Sequence, residues 1–489
     1  MKMNHFFLKR CRTAFASVLL IVLLVCNGCG DDAMHVEDVI ISDSLLTSYH
    51  AMAVPVKTMT LSPKVDCYID YSYGMGEGMK ATSAINQKLQ DFLRGRNVTY
   101  YKVGAAIVPP EIDINSPGAN LLDLANYHDA GSRLEVAIDS ITKHTTKTSV
   151  FITDFEQVKD VTVKQMVAGA KAPHPIDVTA WAQGEFKDWI TSGNRLDIFA
   201  KKYNKPDVWF GTSNQQFDNW IYTLVFTPGA VFLNDKDYKS SVLWFMNEEY
   251  LSLDSSDSKH FSFDGGTFLV EQEKKDDAIG DANDNLVVQE LLTHTKANGY
   301  EFYGFNSNDL VAFNTDESQT DKRIINKLRI TSTSPSFSQV DFDIQTYNVS
   351  ASLIDYYSTL HQEAPEVITD PENGKTDTVA HKPVAYQFKD GAPVGNLFDF
   401  LYNPTTHEAG IKLHDDFSGV SETSIYRIDF IVKAVKLADF NEASSVLRLN
   451  YTNGYTIPSL GESIRRAMQD ASVAVVQKVI YSVYIKINS

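Results

Sequence analysis

The chain has 489 residues, of which 43% are hydrophobic, 11% aromatic and 22% charged. This ordinary globular composition excludes global disorder, collagen-like repeats and a bundle of membrane spans, and the length suits roughly two or three domains. The formal charge is −18, and residues 1–28 hold Lys2, Lys9, Arg10 and Arg12 with no acidic residue, so the remainder is more acidic still. Phosphate backbones repel such a body, and nucleic acid is not an expected partner.

The first predicted element is an export signal. The basic residues precede an apolar run from Ala14 to Val25, too short for a permanent span, and then comes Cys26-Asn27-Gly28-Cys29. Gly28-Cys29 resembles the lipobox of bacterial lipoproteins, although Cys26 stands where that pattern has Leu; Val25-Cys26 is the alternative. Gly30-Asp31-Asp32 resembles the surface-export signal of Bacteroidetes-type lipoproteins. The resemblance implies a signal peptide over 1–28, lipidation at Cys29, a tether over 29–62, and an outer-membrane lipoprotein at the periplasmic or cell-surface face. Cys67 is then the one cysteine left in the mature body, so no disulfide framework is available, and its apolar neighbours mark a buried inert thiol.

From Val65 short apolar runs alternate with amphipathic helices. Val65 to Ile69 reads as a strand ending at Asp70. Ile85, Leu89, Phe92 and Leu93 share one helical face. Val98 to Val103 is a second strand, and a helix follows with Leu134, Ala137, Ile138 and Ile141, opened by the capping box Ser132-Arg133-Leu134-Glu135. Ser149 to Thr153 is a buried-strand run ending at Asp154. Helical spacing resumes at Trp181 to Ile190 and Leu196 to Tyr203, and strands are expected at Asp207 to Phe210 and Tyr222 to Phe226. Strands separated by helices predict an α/β domain over 63–245, a doubly wound, mostly parallel sheet. Residues 246–325 read as an acidic, loop-rich connection. Alternating runs such as Gln339 to Ile344 and Tyr426 to Val432, with one helix after Ser459, predict a β-rich domain over 326–489, a sandwich.

Oxygen-bearing side chains at the carboxyl ends of parallel strands converge on one crevice. Asp70-Tyr71-Ser72-Tyr73-Gly74 follows the first strand, Ser132 opens a helix and Thr153-Asp154 ends a later strand. Here the sequence resembles the von Willebrand factor A domain family, whose metal-ion-dependent adhesion site uses Asp-x-Ser-x-Ser, a Thr from a central loop and a later Asp. The resemblance implies Asp70, Ser72, Ser132 and Asp154 as ligands of Mg²⁺, or of Mn²⁺ or Ca²⁺. Two departures mark a degenerate site: Gly74 replaces the second Ser, and Ser132 replaces the Thr. Helix capping is the alternative role for Asp70, Ser132 and Asp154. Tyr71 and Tyr73 flank the site as contact surface of the kind enriched at interfaces, or else pack on the following helix.

Other chemistry is weakly marked. Asp281 to Asn285 has early calcium-loop spacing but lacks the Gly and Glu such loops need. No zinc-type His pair, nucleophile elbow or phosphate loop occurs. The expected function is therefore a lipid-anchored, non-enzymatic binding or adhesion protein recognising a protein or glycan partner at the rim. A structural subunit of an envelope assembly with a lost metal site comes second, and a hydrolase last.

Overall fold

A computed structural model of the chain describes residues 62–94, 96–104, 107–108, 123–129, 131–157, 176–206, 216–229, 241–253, 257–266, 268–272, 295–297, 300–332, 334–350, 366–369, 376–379, 391–450 and 456–489. Cys29, the signal peptide, Asp207 to Phe210 and the Asp281 loop lie outside them.

The first sheet has the order β3-β2-β1-β4-β6-β5-β7, built from β1 (Ser62–Asp70), β2 (Asn97–Val103), β3 (Ile107–Val108), β4 (Lys147–Thr153), β5 (Arg195–Pro206), β6 (Gln216–Thr227) and β7 (Ser258–Asp264). β1 is central and parallel to both β2 and β4. Two helices, α1 (Tyr73–Ala81) and α2 (Ser83–Arg94), connect β1 to β2, and α3 (Leu134–Lys143) precedes β4. The expectation of a mostly parallel sheet is corrected beyond β4. β4 pairs antiparallel with β6, β6 with β5, and β5 with β7. Only residues 207–215 separate β5 from β6, fewer than the roughly one dozen that a parallel crossover needs, so the two strands return on each other. The fold is mixed α/β with mixed sheets.

β5 also corrects the helix expected at Leu196 to Tyr203. Leu196, Ile198 and Ala200 face one core while Phe199 and Tyr203 face the other. A strand buried on both faces has no wet side to show a period of two, and its apolar residues mimic helical spacing.

Side-chain alternation along β1 sorts the two layers. Val65, Cys67 and Ile69 pack with Met75 and Met79 of α1 and with Ile85, Leu89 and Leu93 of α2. Tyr68 points the other way, into a core shared with α3 and with Ala182, Phe186, Trp189 and Ile190 of α4 (Thr179–Thr191). Each fully buried aliphatic or aromatic side chain here contributes about 1.5–3 kcal/mol.

Residues beyond 245 are more than a connection. β7 closes the first sheet, while β8 (Phe268–Gln272), β9 (Thr295–Ala297) and β10 (Tyr300–Asn306) join the sheets of the C-terminal half. α5 (Ser307–Thr315), capped by the Asn306 side chain, leads to β11 (Arg323–Ser332) and β12 (Phe337–Asn348). A hairpin of β13 (Glu366–Thr369) and β14 (Thr376–Val379) precedes β15 (Ala392–Pro393), β16 (Phe398–Tyr402), β17 (Glu408–Leu413) and β18 (Ser424–Leu437). α6 (Asn441–Val446), the hairpin β19 (Leu449–Asn450) and β20 (Thr456–Ile457), α7 (Ser459–Val475) and β21 (Val479–Asn488) complete the chain.

The resulting sheets are β15-β12-β18-β21-β10-β9 and β16-β17-β11-β8. Phe342, Ile428 and Phe430 from the first of these and Ile330, Ile411 and Leu413 from the second enter one core, as a β-rich two-layer unit requires. That core continues into the N-terminal half. α7 packs along α4, where Gln183 Nε2 donates to Asp470 Oδ2 at 2.8 Å and Ser463 Oγ to the Thr179 carbonyl at 3.3 Å. Tyr222 of β6 donates its hydroxyl to the Val446 carbonyl at 2.9 Å. A helix of the C-terminal half thus covers the α4 layer of the first sheet.

Candidate functional site

Asp70 is the last residue of β1 and is fully buried. By alternation it leaves β1 on the same side as Tyr68, toward α3. Its Oδ1 accepts the Ser72 N–H at 2.8 Å and the Ser132 hydroxyl in a very short contact, while its Oδ2 accepts the Thr153 hydroxyl at 2.8 Å. Three segments far apart in sequence therefore meet on one carboxylate. Burial pushes its pKa above the ordinary carboxylate value, and hydrogen bonds from Ser132, Ser72 and Thr153 oppose that rise without overcoming it. The carboxylate is dry and held by hydroxyl and amide dipoles.

The capping reading of Ser132 is overturned. α3 starts at Leu134 with Arg133 as its N-cap, and no side chain caps it. The Ser132 hydroxyl turns instead to Asp70, across 62 positions of sequence. Ser72 does precede α1 as its N-cap, without a side-chain cap bond, and its backbone forms an isolated bridge to Asp129. Asp129 pairs with Lys102 at 3.4 Å and sits so close to Gly104 that a Cβ there would meet its Oδ2 at 1.9 Å.

Thr153 was not among the expected ligands. It occupies a central place, donating to Asp70 and accepting the Phe155 N–H at 2.8 Å. The only available signal was its position at the end of β4, in register with β1. Phe155 adopts φ 58, a left-handed conformation costing a bulky residue about 1–3 kcal/mol. Two contacts hold it there: the Thr153 bond, and a stack of its buried ring on Phe186 of α4 with centroids 6.3 Å apart.

Asp154 is buried at 1% exposure, and its Oδ1 accepts the Glu156 N–H at 3.0 Å, a local turn cap. Its charge also lies near Tyr222, where burial first and Asp154 second push the phenol pKa well up. Gly74 falls inside α1, not in a turn, and is not among the residues with positive φ.

Tyr71 is corrected as a contact residue. It is 2% exposed, stacks on Tyr127 at 4.9 Å and joins the layer of Cys67 and Ile69, because odd-numbered positions of this segment face α1 and α2. Tyr73 opens α1, but its side chain lies outside the described residues.

The group formed by Asp70, Ser72, Ser132 and Thr153 is all hard oxygen, the donor type that Mg²⁺ takes. A hydroxyl that donates its proton to Asp70 keeps lone pairs for a cation, and an added positive charge would relieve the buried carboxylate. The oxygen set therefore fits a divalent cation. Among the described residues no cluster of three or more His, Cys, Asp or Glu side chains suited to a metal occurs. None of their helices is long and apolar enough to cross a membrane. Comparison with family models, curated proteins and solved structures finds no match to this chain.

Proposed function

We propose that this chain is a lipid-anchored envelope protein that binds a protein or glycan partner at the rim formed by the carboxyl ends of β1 and β4. The observation that carries the reading is Asp70, a buried carboxylate at the end of a central parallel strand on which Ser132 and Thr153 hydroxyls converge. The order β3-β2-β1-β4, with helices on both faces, supports an A-like core; the antiparallel continuation through β6, β5 and β7 departs from a doubly wound sheet. Asp70, Ser72, Ser132 and Thr153 would hold a divalent cation. The cation would supply Lewis-acid attraction for an anionic group of the partner.

A second reading, a structural subunit with no working metal, is favoured by the Asp70 carboxylate itself, since both its oxygens already accept protein donors. Thermal melting with millimolar Mg²⁺ or Mn²⁺ separates the two. A cation that binds only the native state raises Tm by mass action, and Asp70→Asn should abolish that rise. Should neither ion move the parent's Tm, the structural reading takes its place. The anchor has its own test: Cys29→Ala should abolish incorporation of labelled palmitate, Cys26→Ala should not, and unchanged labelling of the Cys29 variant rejects the assignment.

A further inference from the structure

We propose a second binding site, in the C-terminal half: the groove between the edges of β12 and β16 takes a short, neutral oligosaccharide. The open groove has a volume of about 820 Å³ and is lined by Ile344, Gln345 and Tyr347 of β12, by Val394 and Asn396 of the turn after β15, and by Asp399 to Leu401 of β16. Its size is that of a small-ligand site.

Its charges are compensated. Asp343 pairs with Lys433 at 2.8 Å, and Asp399 with both Lys412 at 3.2 Å and His414 Nδ1 at 3.0 Å. Neither a polyanion nor a cation finds an unbalanced counter-charge there. The paired groups are still rich in hydrogen-bonding capacity, because a carboxylate offers roughly four acceptor positions and Asp399 uses few of them. Gln345 is oriented from both ends, accepting the Tyr347 hydroxyl and donating to Gln477 Oε1, each at 2.8 Å.

Apolar surface sits among these groups. Leu401 is 42% exposed, one of two large apolar side chains so exposed among the described residues. Interleaved aliphatic faces and fixed polar groups match a sugar ring, which has C–H faces and a belt of hydroxyls that both donate and accept.

An added peptide strand fits less well. Thr346 O is taken by the Val394 N–H, the Ile344 N–H by Asp343 Oδ1, and Pro393 has no N–H to offer. On β16 the Leu397 carbonyl and the Asn403 N–H bond toward β17, which leaves Phe398 and Phe400 as the lining residues whose backbone groups face its open edge.

The test is an array of neutral and acidic oligosaccharides and of extended peptides with alternating apolar residues, probed with the full chain. Titration calorimetry on the retained probes follows. Saturable binding of a neutral oligosaccharide is expected. Leu401→Ala and Asp399→Asn, both at partly exposed positions, should each weaken it about tenfold with unchanged Tm, whereas Asp70→Asn at the rim should leave it intact. The proposal is overturned by the absence of neutral-glycan binding at millimolar ligand or by equal affinity in both groove variants. Retention of acidic glycans or peptides alone also overturns it, and peptide retention would establish strand addition instead.

Discussion

Replacing Thr153 by Val keeps the shape and the methyl group but removes the hydroxyl through which β4 holds both Asp70 and Phe155. Two bonds of 2.8 Å are lost. The bond donated to a buried carboxylate is worth about 1.5–3 kcal/mol, and leaving the Phe155 N–H unsatisfied costs about 1–3 kcal/mol. Phe155 at φ 58 also loses one of its two restraints. Allowing for partial relaxation, Thr153→Val should destabilise by about 3 kcal/mol. That corresponds to a fall in Tm of roughly 3–4 °C for one cooperative unit of about 400 residues. Thr153→Ser is the control, since it retains both bonds and loses one methyl, worth about 1 kcal/mol. Calorimetric melting and urea unfolding of the three proteins measure the ordering. The reasoning is refuted if Val costs less than about 1 kcal/mol, or if Ser costs as much as Val, because the hydroxyl would then not be the connecting group.

The Asp70 carboxyl, raised by burial, gives a pH test in the absence of divalent cations. Because the native state holds this proton more tightly than the unfolded chain, its stabilisation is complete below about pH 4 and lost as pH rises through the raised native value. The Tm of the parent should therefore fall relative to Asp70→Asn across that window, and parallel profiles would exclude the assignment. Under the cation reading, Mg²⁺ at neutral pH should restore the parent alone. Gly74→Ser adds the hydroxyl missing from the family pattern inside α1, where Ser is about 0.5 kcal/mol more favourable than Gly. It should melt no lower than the parent and, if a cation binds, raise the Mg²⁺-dependent shift; a variant that melts well below the parent contradicts the helical placement. Gly104→Ala should displace Asp129 and cost about 1–3 kcal/mol; if Asp129→Ala does not lessen that cost when combined with it, the clash is not the cause.

Part of the site was legible because its residues stand at strand ends. The apolar run of β1 stops at Asp70, and the parallel register with β4 sets Thr153 beside it, whereas the expected Asp154 turns to the Glu156 N–H of its own turn. Even so, local chemistry misled in two places. Ser132 has the sequence of a helix cap, yet the helix starts one residue later, with Arg133 at the N-cap, and the Ser132 hydroxyl is left to donate to the buried Asp70 carboxylate. Tyr71 looks like rim surface, but strand alternation carries it under α1 and α2.

By itself, the sequence determined the acidic body, the positions of the amphipathic helices α2, α3 and α7, and the alternating strands β12 and β18. These are properties of neighbouring residues, read from charge and periodicity. Tertiary structure alone decided the direction of the strands after β4, the strand identity of Leu196 to Tyr203, and the hydroxyl that Thr153 brings to Asp70. It also decided that α7 of the C-terminal half covers α4 of the first sheet, joining the halves in one core. The physical reason is common to all four. Each is an interaction between segments far apart in the chain, and a buried two-faced strand or a carboxylate awaiting its donors carries no local pattern that names its partner.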